Sequence, residues 1–154
     1  MNAVAICSRL GRERCTKLIM DLPPSVVRRL LAQAHVPVVR SAQSLSLKNR
    51  NELWARRLAE TVGQEGVATG VLYAWLGNCR NAMLADFLDQ LGVAHQNGLT
   101  DEDFWGQTDP EKLKTAAGAL LEKYPKQEVA MYLLFLEDAN RQQRLGELSL
   151  EQHL

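Results

Sequence analysis

The sequence predicts an all-α fold, a compact single-domain bundle of six or seven short helices with no credible sheet. Three observations carry this. The segments Val26-Val27-Leu30-Leu31-Ala34, Leu53-Trp54-Arg57-Leu58-Thr61 and Met83-Leu84-Phe87-Leu88-Leu91 repeat one spacing. At 100° per residue its five positions fall within about 140° of arc, the stripe of an amphipathic helix. Proline and glycine punctuation recurs between these segments. Finally, strand-like alternation occurs only in the Ser-Leu run after Ser44, and a lone strand has nothing to pair with.

Taken in order, residues 1–19 leave two readings open: part of the domain, or a peripheral N-terminal extension ahead of the cleaner start at Met20. Pro23-Pro24 sits in the first turn of the next helix, where a missing N–H costs nothing, and Pro37 stops that helix. His35 stands at its end, where a cation favours the helix dipole. Residues 36–47 read as an extended connector, with Ser46 or Asn49 capping the helix that carries Trp54. Gly63 and Gly66 close that helix, and Gly77-Asn78 predicts a break before the Met83 helix.

The stretch 91–113, "LGVAHQNGLTDEDFWGQTDPEKL", concentrates His95 and five acidic residues. Each has a local duty. Gly92 suits a left-handed helix cap, Asn97-Gly98 is a turn pair, Thr100 with Asp103 reads as a capping box, and Asp109-Pro110 opens another helix. Beyond Pro125, the run Val129–Leu136 is apolar on every side, as a buried helix is, and the tail from Gly146 is expected to fray.

Eight residues is the longest apolar run, against about 20 for a membrane span. Cys7, Cys15 and Cys79 are an odd set without C-x-x-C spacing, the pattern of reduced thiols in a cytoplasmic protein. The zero net charge hides an asymmetry. Residues 1–60 hold 11 Lys and Arg against 4 Asp and Glu, and residues 61–154 hold 7 against 14. Either the halves neutralise each other, or the basic half faces an anionic partner.

No catalytic signature, phosphate-binding glycine loop, or zinc or calcium ligand pattern is present, so no catalytic, cofactor-binding or metal residue is named. The first expectation is therefore a non-enzymatic protein–protein interaction or adaptor protein, self-associating as a homodimer or binding a protein partner. Phe104, Trp105 and Phe135 are its candidate exposed anchors, with core burial the plainer reading of each. The alternative is nucleic-acid binding by residues 9–57, with Arg28, Arg29, Lys48, Arg50, Arg56 and Arg57 as the anion contacts. Arg57 occupies a stripe position that other helices give to Leu30 or Phe87, so it must snorkel, pair with a carboxylate or face a partner. A third expectation is a small-molecule pocket lined by Trp54, Tyr73 and Trp75.

Overall fold

Apolar residues at helical spacing, closed by prolines and capping side chains, give seven α-helices among the described residues of a computed structural model, with no strand beyond one isolated bridge. Residues 1–37 and 44–154 are described, so half of the expected connector, residues 38–43, lies outside them. No helix among them is long and apolar enough to cross a membrane. Internal contacts divide the chain into two units, residues 3–79 and residues 80–154 with 1–2. The charge asymmetry follows that division. The first unit holds eleven Lys and Arg against five Asp and Glu, the second seven against thirteen.

The basic unit contains α1 (Ala3–Asp21), α2 (Pro24–Gln33), α3 (Leu47–Ala59) and α4 (Glu65–Cys79). α1 packs on α3 and α4, and α2 packs on the same two helices. Residues 1–19 are not a peripheral extension. Ile6 and Ile19 of α1 are fully buried beside Leu31, Leu58, Val71, Leu72 and Trp75 in the core of the unit. The helix escapes a periodicity reading because Gly11, at φ 75° and ψ 163°, breaks it and resets its apolar phase. Ala3, Ile6, Cys7 and Leu10 form one stripe, and Cys15 and Ile19 begin another.

α2 begins at Pro24, as expected, and ends where His35 takes a left-handed backbone at φ 54°. His35 thus stops the helix through its main chain. Ser46 caps α3 by accepting a hydrogen bond from the Asn49 amide. The break expected at Gly77-Asn78 falls instead at Arg80. Asn78 donates its side-chain amide to the Ala74 carbonyl one turn back, and Trp75 and Leu76 are buried, so the helix runs through to Cys79.

The acidic unit holds α5 (Asn81–Leu91), α6 (Pro110–Lys123) and α7 (Lys126–Ala139), then short 3-10 turns at Gly146–Leu148 and Leu150–His153. α6 packs on α5 and α7, and the last 3-10 turn packs on α7. The core gathers Met83, Phe87, Leu113, Leu120 and Leu133. The tail does not fray. Leu145 and Leu150 are buried, and Gln127 donates to the Leu154 main-chain oxygen.

Between α5 and α6, Gly92 is the left-handed cap at φ 70°, and Asn97 and Gly98, both at positive φ, turn the chain back so that Gln96 and Leu99 pair. Only a glycine fits at 98, because a Cβ there would lie 2.6 Å from the Asn81 carbonyl oxygen. Asp109 accepts from the amides of Glu111 and Lys112 to start α6. The capping box does not form. Thr100 accepts from Glu102, two residues on, and Phe104–Thr108 make a hydrogen-bonded turn rather than a helix.

Candidate functional site

Once α3 is helical, Arg50, Asn51, Trp54 and Arg57 fall on one side of it, at i, i+1, i+4 and i+7. Trp54 is 8% exposed and is the centre of a cationic cluster. The Arg28 guanidinium of α2 lies 6.0 Å from its ring centroid, and that of Arg50 lies 5.5 Å away. Both distances are in the range where the electron-rich face of an indole attracts a cation.

Three buried polar atoms of this cluster have no hydrogen-bond partner among the described residues: Arg50 Nε, Asn51 Oδ1 and Trp54 Nε1. They lie within five residues on one helix face. Each such atom costs about 1–3 kcal/mol when left without a partner. Two are donors and one is an acceptor. Among the described residues no ion pair is formed by Arg28, Arg29, Lys48, Arg50 or Arg57.

The six arginines and lysines singled out from sequence divide accordingly. Arg28 and Arg50 meet at Trp54, with the half-buried Arg57 on the same side of α3. Arg29 and Lys48 are exposed outside this cluster. Arg56 is on the other side of α3, where it pairs with Glu52 at 2.5 Å. There it lines a groove of about 500 Å³ together with Arg12, Glu13, Thr16, Lys17, Met20 and Glu52. That groove is internally neutralised, since Arg12 pairs with Glu60 and Lys17 with Glu13. Asn51 was not anticipated from sequence. Its signal is its place one residue from Arg50 and three from Trp54 on the same helix.

The aromatic anchors fare differently. Trp105, expected as an exposed anchor, is a core residue. It is 1% exposed, its ring meets Phe104 edge-to-face, and its Nε1 donates to the Gln142 carbonyl. Phe104 and Phe135 are half-buried, and Phe104 also packs against Phe87. Trp54, Tyr73 and Trp75 do not line a common pocket, for Trp75 is fully buried and Tyr73 points outward at 62% exposure.

Both ring nitrogens of His95 are engaged. Nδ1 accepts from the Gly98 amide, so Nε2 carries the proton and donates to Asp89 at 3.0 Å. The other strongly polar cluster joins α5 to the end of α6. Asp86 accepts from Lys123 and Tyr124, which hold its carboxyl below the usual carboxylate range, Lys123 contributing most. The same bond from Asp86, followed by burial, pushes the Tyr124 phenol up. Among the described residues no three His, Cys, Asp or Glu side chains come together as a metal site requires.

No protein-family model, curated protein or solved structure matches this chain.

Proposed function

We propose that the basic unit binds the backbone of a nucleic acid through the α2–α3 face centred on Trp54. The observation that carries this reading is the trio of buried polar atoms on Arg50, Asn51 and Trp54 that lack a partner among the described residues, set by two arginines, Arg28 and Arg50, that pair with no carboxylate among those residues. Phosphate oxygens would first meet the exposed guanidinium of Arg28, and would accept from Arg50 Nε and Trp54 Nε1 once the side chains covering those two atoms shift on binding. A base amino group or a ribose hydroxyl would supply the donor that Asn51 Oδ1 lacks. A fully deprotonated anion such as sulfate offers the acceptors alone, whereas a nucleotide chain offers acceptors and donors together. Trp54 is too buried to stack on a base, which makes this a backbone contact with little sequence preference.

The role is binding rather than catalysis, and its setting is the cytoplasm, where three unbridged cysteines are at home. The protein-partner reading is weaker here, because its chief anchor, Trp105, is spent on the core. The test is a titration with single-stranded and duplex oligonucleotides of mixed sequence at several salt concentrations. Three cationic contacts predict a slope of about −2 to −3 for log K against log salt. Arg28→Ala and Arg50→Ala should each lower affinity severalfold and reduce the slope by about 1, while Arg56→Ala leaves both unchanged. No binding at low salt, or binding indifferent to salt and to Arg28 and Arg50, rejects the proposal.

A further inference from the structure

The break in α1 has a chemical result. In a straight helix, residues eight apart are separated by about 12 Å along the axis. Gly11 interrupts the helix between Cys7 and Cys15, and across that interruption the Cys15 side chain reaches the Cys7 main chain. The Cys15 thiol donates to the Cys7 carbonyl oxygen at 3.4 Å, and the two thiols are close enough to shift each other's ionisation. Both are buried among apolar residues, while Cys79 is half-buried against the Asp21 carbonyl. Two adjacent thiols shielded from other partners are placed to react with each other.

We propose that Cys7 and Cys15 are a redox-modification site, a dithiol that a small hydroperoxide converts reversibly into an intrachain disulfide. The Cys15 thiolate attacks one oxygen of hydrogen peroxide, the O–O bond breaks, and Cys15 becomes a sulfenic acid. The released hydroxide takes up the proton that Cys15 lost, forming the first water. The Cys7 sulfur then attacks the Cys15 sulfur and forms the S–S bond. The sulfenic hydroxyl leaves with the Cys7 proton as the second water. Two thiols and one peroxide thus give one disulfide and two waters, with two electrons passing from sulfur to oxygen. The order of attack follows from the influence of the two thiols on each other, which favours ionisation of Cys15 and, together with burial, disfavours that of Cys7. A small oxidant is required because both sulfurs lie in the core and are reached only by local opening.

The experiment treats the folded protein with hydrogen peroxide, blocks residual thiols and digests with trypsin. Cleavage after Arg9, Arg12 and Arg14 separates the two cysteines, so their disulfide joins peptide 1–9 to peptide 15–17. The expected result is that linked peptide, two hydrogens lighter than its parts and released by dithiothreitol. Cys79→Ser should form it as well as the natural chain does, and Cys7→Ser and Cys15→Ser should not. A disulfide through Cys79 instead overturns the proposal. So does over-oxidation without a bridge, or a folded chain that stays unmodified where the urea-unfolded chain is oxidised. The Cys79→Ser arm does not require either core cysteine to be replaced.

Discussion

Asp86 shows how a single side chain ties two helices together and what that costs in acid. Its carboxylate accepts from Lys123 and Tyr124, and its pKa is depressed in the folded chain. A depressed carboxyl contributes stability in full above its unfolded value of about 4, and loses it as pH falls through the folded value. Asp86→Asn should therefore lower the thermal midpoint by a constant amount from pH 7 to 5, with the gap closing below about pH 4. A gap that persists unchanged to pH 2 contradicts this account. Nothing about Asp86 stood out in the sequence, since its partners are 37 and 38 residues away. The residues that were legible are those whose duty is local. Gly92, Asn97, Gly98 and Asp109 act on neighbours within a turn, so spacing alone disclosed them. Glu137 is the opposite case. It is buried, and it accepts from the Arg144 and Leu145 amides to hold down a tail that reads as loose.

Among the helices, α2, α3 and α6 were readable from an apolar stripe opened by a proline or a side-chain cap, and α5 from an apolar stripe closed by Gly92. α1 was not, because Gly11 shifts its stripe midway, and the two halves bury different faces. The end of α4 was misplaced because local propensity at Gly77-Asn78 is outweighed by the burial of Trp75 and Leu76 and by the Asn78 side-chain bond. This yields a direct check. A Cβ at Gly77 meets nothing within 4 Å. Gly77→Ala should stabilise the protein by about 0.5–1 kcal/mol through helix propensity. That raises the thermal midpoint by a few degrees. A helix ending at Gly77 would instead make the substitution neutral or harmful. The candidate site was half legible for a related reason. The arginines announced themselves by charge, but which of them meet depends on α2 packing against α3.

Over the whole chain, the formal charge of zero is the sum of a basic unit and an acidic unit. Opposite charges held on separate units of one chain attract the complementary unit of another copy when little salt is present. Light scattering should accordingly report growing self-association below about 20 mM salt near the isoelectric point of about 6.8. It should disperse as the Debye length shortens to about 8 Å at physiological salt. Association that is indifferent to salt would point to an apolar interface instead. The nucleic acid proposed for the α2–α3 face would compete with such a contact, since it too would engage the basic unit.

The three tryptophans have a spectroscopic consequence. Trp75 is enclosed in the basic unit, Trp105 in the acidic unit, and Trp54 stands beside the two guanidinium groups of the candidate face. Each region therefore carries its own intrinsic fluorophore. Chains retaining one indole at a time would let emission follow the melting of either unit or the arrival of a ligand at α3, with no dye attached.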